Sequence, residues 1–141
     1  MLRMILIPLL ALALAPCLTS GAEPPDFSGR WKADLAKCDF GMESVPAGLV
    51  YRVAQKRLTL TVERIRQEDG KETKTTRTSE ARSDGTTLLV EYQATYQGYD
   101  LDISEKWSLS DDGKALTVLR SISAGGGGMD QKLVFHKEPP Q

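Results

Sequence analysis

The chain has 141 residues, with 18 Lys and Arg against 19 Asp and Glu, a formal net charge of −1 and 40% hydrophobic residues. That length supports one domain with a modest core. Basic and acidic residues are interspersed with no basic block, which excludes a nucleic-acid surface, and one His with two Cys leaves no zinc-ligand spacing.

The chain opens on a single positive charge, Arg3, and an apolar stretch from Met4 to Ala15. Its length suits the h-region of a signal peptide and is too short for a helix that spans a bilayer. The small residues Ser20 and Ala22 predict cleavage after Ala22, so that residues 1–22 are removed and the mature chain has no transmembrane span. The alternative is a lipoprotein: Leu14-Ala15-Pro16-Cys17 places Cys17 for lipidation and anchoring. Either route exports the protein to the cell envelope, periplasmic or secreted. Cys38 is the remaining thiol of a simply cleaved product and is expected to be a small, partly buried side chain.

Phe27, Gly29, Trp31 and Ala33 share one parity and predict a first strand over 27–33. Trp31 would plug one end of the core, and Gly29 would admit a close neighbour, another backbone or the Trp ring. Asp34 to Lys37 is long enough only for a turn or short helix. Gly41, Pro46 and Gly48 mark a loop, suited to a lid or an entrance. Strands follow at 48–54 and 57–66, the second carrying Arg64 in inward parity. The polar, Thr-rich run 71–82 lies between Asp69-Gly70 and Asp84-Gly85, which reads as an edge strand or a polar-lined barrel strand.

From Leu88 the pattern tightens. Leu88, Val90, Tyr92, Ala94 and Tyr96 form one face of a strand over 86–96, and Gln97-Gly98 turns it into a strand over 99–109. That turn sets Tyr92 opposite Ile103, Val90 opposite Glu105 and Leu88 opposite Trp107. A two-residue turn at Asp112-Gly113 pairs Asp111 with Lys114 and leads into a strand over 114–124. It sets Leu109 opposite Leu116, Trp107 opposite Val118 and Glu105 opposite Arg120, with Cβ atoms roughly 5 Å apart. Gly125 to Gly128 bends the chain into a last strand over 129–137, which brings Met129, Gln131, Leu133 and Phe135 inward. Leu133 is expected beside Arg120, and 138–141 should be a frayed tail. Eight strands in a local meander predict an all-β fold, an eight-stranded antiparallel up-and-down barrel filling 23–137, with a two-sheet β-sandwich as the alternative.

Phe27-x-Gly29-x-Trp31-Lys32 resembles the opening-strand signature of the calycins, which include the lipocalins and intracellular fatty-acid-binding proteins. The wider set also resembles small exported bacterial lipocalin-like proteins of unassigned function: Lys37-Cys38-Asp39-Phe40-Gly41, the hairpin from Trp107 to Thr117, and Asp130 to Phe135. The resemblance implies a barrel around an apolar cavity. It carries no ligand across, because the Arg-x-Tyr pair of the fatty-acid binders is replaced by Gln131, Leu133 and Phe135 and the Thr-Asp-Tyr motif of the lipocalins is missing.

The inward polar set is Arg64, Arg77, Glu105, Arg120 and Gln131, with Tyr92, Tyr96 and Trp107 beside it. One reading is a self-satisfied internal ion pair of Glu105 with Arg120. The other is a receptor for an anion or the polar head group of a small amphipathic molecule, with Arg77 or Arg64 left over after Glu105 is paired. Asp112 and Gly113 have a structural role in the turn. His136 faces outward, no Ser-His-acid arrangement exists, and Gly125 to Gly128 lacks a phosphate loop's Lys and Ser/Thr, so no cofactor is implied. A non-catalytic binder, a filled structural or interaction module, and an enzyme working through Glu105 are the three function classes left open.

Overall fold

Alternation at a two-residue period, broken by tight turns, gives each strand its sequence neighbour as partner. The structure is a computed structural model that describes residues 23–139; the predicted leader and Cys17 lie outside them. Eight antiparallel strands follow one another: β1 (Gly29–Ala33), β2 (Gly48–Lys56), β3 (Thr59–Glu68), β4 (Lys71–Ser83), β5 (Thr87–Tyr96), β6 (Tyr99–Leu109), β7 (Ala115–Ala124) and β8 (Gly127–Lys137). Trp31, Lys32 and Ala33 pair with Lys137, His136 and Phe135, which joins β8 to β1 and closes an up-and-down barrel. Closure puts all eight strands in one sheet, with no second sheet among the described residues, so the sandwich is excluded.

The β5–β6 and β6–β7 registers are those the sequence predicts: Val90 faces Glu105, Glu105 faces Arg120 and Trp107 faces Val118. Gln97 and Gly98 have φ of 51° and 81°, and Asp69 and Gly70 have 53° and 74°, the positive pair that a two-residue hairpin of matching twist requires. The β6–β7 turn differs. Ser110 pairs with Ala115 and the Gly113 N–H donates to the Ser110 carbonyl, so four residues turn the chain and Asp111 does not pair with Lys114. The register survives because the longer loop closes on the same residues. Asp112 Oδ1 braces it, accepting from Ser110 Oγ (2.6 Å) and the Lys114 N–H (3.0 Å).

Because the strands alternate in direction, the turns after β2, β4 and β6 gather at one end and those after β3, β5 and β7 at the other. The first end is closed. Phe27 lies just before β1, not within it; its ring meets Trp107 edge-on at 5.7 Å and its carbonyl accepts from Trp31 Nε1 at 2.9 Å. Tyr51 lies 4.5 Å from Phe135 and 6.0 Å from Trp107, ring centre to ring centre. Leu88, Leu116, Val118 and Leu133 complete a core with no solvent exposure at these positions. Gly29 has φ of +135°, and the nearest atom to a Cβ there would be Lys137 Cε at 3.2 Å. The close neighbour is therefore the Lys137 stem, whose ammonium lies 5.6 Å over the Trp31 ring. Lys137 and Glu138 do not fray: their N–H groups bond the Lys114 and Arg30 carbonyls, and Glu138 pairs with Arg30.

At the other end, β4 pairs with β3 along Lys71–Glu80 but with β5 only through Ala81, Arg82 and Ser83. Above that point the wall is parted, so β4 is both the polar barrel strand and the partly free edge that its composition suggests. The segment between β1 and β2 folds across this end. A 3-10 turn, Leu35–Lys37, precedes it, Asp39 bridges to Lys132, and Phe40 is buried.

Candidate functional site: a charged floor beneath a parted wall

Glu105 and Arg120 occupy facing inward positions on β6 and β7, at mid-height. Glu105 has no solvent exposure and Arg120 has 6%. Arg120 Nε donates to Glu105 Oε2 at 2.6 Å. The carboxylate has further partners: Tyr92 Oη donates to the same oxygen at 2.9 Å and Trp107 Nε1 to Oε1 at 3.1 Å. Arg77 Nη2 lies 3.6 Å from Oε1, with its guanidinium carbon 3.5 Å over the centre of the Tyr92 ring.

The guanidinium of Arg120 is shared in turn. Its Nη1 donates to Gln131 Oε1 at 3.1 Å and its Nη2 to Tyr51 Oη at 2.6 Å. Gln131 Nε2 donates onward to the Phe40 carbonyl at 2.9 Å, tying the floor to the covering segment. The residue across from Arg120 on β8 is therefore Gln131 and not Leu133, which faces Val118. A buried ion pair costs desolvation that its own attraction does not fully offset, so these extra donors and acceptors are what make the arrangement tolerable.

Six of the predicted residues thus form one network: Arg77, Tyr92, Glu105, Trp107, Arg120 and Gln131. Two do not join it. Tyr96 has inward parity but stands at the rim, 64% exposed, where the parted wall gives it nothing to pack against. Arg64 also has inward parity, yet among the described residues its Nε is buried with no hydrogen-bond partner. Tyr51 and the Phe40 carbonyl are members that sequence reasoning missed. Tyr51 shares parity with Leu49 and Val53, which signals that it points inward, but its partner Arg120 is 69 residues away and is reached only through closure.

Burial alone pushes the Glu105 carboxyl up, but the Arg120 and Arg77 charges, with the Arg120 and Trp107 donors, outweigh it and hold the group below the ordinary 4.5. Burial and the Glu105 charge raise the Tyr92 phenol above its usual range, so it remains a donor. A carboxyl whose folded pKa is depressed adds stability that is complete above the ordinary value and is lost as pH falls through the folded one. Stability should therefore fall progressively below pH 4.5. Melts of wild type and Glu105→Gln across this range should show a flatter acid limb in the variant, and parallel limbs would contradict the assignment.

Several charged or reactive groups elsewhere are engaged with neighbours. A groove of about 770 Å3 on the outer face of β1–β4 contains Arg30, Arg52, Glu63 and Glu138, but Arg30 pairs with Glu138 at 2.5 Å and Arg52 with Glu63 at 3.6 Å. Cys38 is half-buried against the Val134 backbone, and burial raises its thiol pKa. His136 Nε2 is 3.0 Å from Asp34 on the outer surface. No helix among the described residues is long and apolar enough to cross a membrane.

The architecture is the lipocalin-like eight-stranded barrel. No protein-family model and no curated protein sequence matches the chain. Solved structures similar in backbone include these two. One is a zebrafish ileal bile acid-binding protein complexed with cholic acid, at 15% identity and a TM-score of 0.48, covering 79% of this chain and 98% of its own. The other, a fatty acid transporter designated REP1-NXSQ, has 10% identity and a TM-score of 0.45, covering 81% of this chain and 97% of its own.

Proposed function

We propose that the protein binds a small amphipathic molecule in the parted half of its barrel and performs no catalysis. The observation that carries this reading is the Nε of Arg64, buried without a hydrogen-bond partner among the described residues, in a barrel where Glu105, Arg120, Gln131 and Tyr51 satisfy one another. Above the floor, the inward positions Ala94, Leu101 and Ile122 are only partly buried, Met129 packs beneath Gly41 and Met42, and Thr73 and Thr75 are exposed. A cup with apolar walls and a polar base suits an amphiphile. Glu105 makes a poor general acid or base, being sealed from solvent and held ionised by its donors.

A filled structural or interaction module is the second reading, favoured by the aromatic contacts of the closed end. Native mass spectrometry of the protein purified from its own cells separates the two. A retained small molecule released on unfolding is the expected result. An unliganded mass, together with no heat of binding for either dodecanoate or dodecan-1-ol, would select the filled module.

The location proposed is the cell envelope, and the kinship is with small exported bacterial lipocalin-like proteins. Arg3, the apolar run and the small residues Ser20 and Ala22 support export. N-terminal sequencing of the mature protein should begin at Glu23; an amino terminus at Cys17 blocked by lipid would select the anchored form instead.

A further inference from the structure

Arg64, Arg66, Arg77 and Arg120 share the inward parity of their strands, and each has a different status. Arg66 is engaged at the rim by Glu68 at 3.2 Å, Glu43 at 3.8 Å and the Ser44 carbonyl at 3.0 Å. Arg120 is fully committed to Glu105, Tyr51 and Gln131. Arg77 stacks on the Tyr92 ring, and its one ion pair among the described residues is with the second oxygen of that same carboxylate, at 3.6 Å, longer than a hydrogen bond. Arg64 forms no ion pair among the described residues. Among the described residues Glu105 is the carboxylate that Arg77 and Arg120 share and Arg64 has none, so these inward arginines outnumber the inward carboxylate.

The register sets where that excess lies. Arg64 faces Thr75 and Arg77 faces Val62, so the two arginines are diagonal neighbours on β3 and β4, roughly 7 Å apart and within reach of long side chains. Arg77 borders the parted seam, because β4 has no β5 partner there, and Arg64 lies one strand behind it on β3. A guanidinium offers a rigid fork of donors matched to a planar or tetrahedral oxyanion, and a buried one without an acceptor is costly. Across the barrel the inward wall is apolar, with Leu101, Ile103, Ile122 and Met129.

We infer that Arg64 and Arg77 form the receptor for one singly charged oxyanion, carboxylate or sulfonate, at the head of an amphiphile whose apolar part rests on Leu101, Ile103, Ile122 and Met129. The anion supplies the acceptor that the Arg64 Nε lacks and a closer acceptor for Arg77 than the Glu105 oxygen at 3.6 Å. This rests on the binding reading above and adds the sign of the ligand's charge and the residues that select it.

The test compares two probes of equal chain length, dodecanoate and dodecan-1-ol, by calorimetry on wild type, Arg64→Gln and Arg64→Lys. Wild type should bind dodecanoate at least about tenfold more tightly than the alcohol, the size expected for one charge-assisted bond. Arg64→Gln should bring the two affinities to within about twofold, while Arg64→Lys should keep most of the preference. Arg64→Gln without ligand should melt no lower than wild type, since it breaks no ion pair and removes a buried Nε that has no acceptor. Equal wild-type affinities, or a preference that survives Arg64→Gln, would overturn the anion receptor while leaving the barrel a binder. Failure of wild type to bind either probe would overturn both readings.

Discussion

Replacing Glu105 with Leu should cost about 3–5 kcal/mol, because Arg120 would keep its charge in a buried site without a carboxylate. Arg120→Leu should cost a similar amount, stranding Glu105 and removing the donor that Tyr51 Oη and Gln131 Oε1 accept from. An isolated ion pair would recover nearly all of the loss when both partners become Leu. Here the double variant should remain about as unstable as either single one. Trp107 Nε1 loses its acceptor when Glu105 goes, and each stranded buried group costs roughly 1–3 kcal/mol. Urea melts of the three variants measure the coupling. Additive losses would show that the two side chains do not meet; complete recovery would show that the surrounding donors and acceptors contribute nothing.

Truncating Trp107 to Ala should cost about 3–5 kcal/mol or more, making it one of the most damaging single changes at the closed end. The ring is fully buried between Phe27 and Tyr51 and also donates to Glu105. Trp107→Phe separates the two contributions. It keeps most of the volume and removes the N–H, so it should cost roughly 1–3 kcal/mol, mostly for the unmet Oε1 acceptor. Equal losses in Trp107→Phe and Trp107→Ala would place the whole effect in the hydrogen bond. A Trp107→Phe variant as stable as wild type would remove the bond from the account.

Everything from Leu88 to Phe135 that depends on parity could be read without a structure. Gln97-Gly98 admits one hairpin geometry, and a slip of one residue would turn Leu116 and Val118 to solvent, so Glu105 had to face Arg120. The Asp111–Gly113 turn shows the limit of that logic: different loops can deliver the same register, and only backbone hydrogen bonds distinguish them.

Alternation determines which side of a strand a residue takes, and it says nothing about which distant strand lies across the interior. Two charges on adjacent strands could therefore be matched from sequence, while Tyr51 with Arg120 and Phe40 with Gln131 could not, since those bonds cross the barrel or come from its cover. The same holds for openness. Tyr96 and Tyr92 have equal parity, yet one is exposed and the other is locked beneath Arg77, because β4 leaves β5 above Ala81. Sequence determined the faces, the local registers and the charges that point inward. Closure of β8 on β1 and the parting of β4 from β5 decided which of those charges satisfy one another and that the Arg64 Nε meets no acceptor among the described residues, because both depend on how the whole sheet curves.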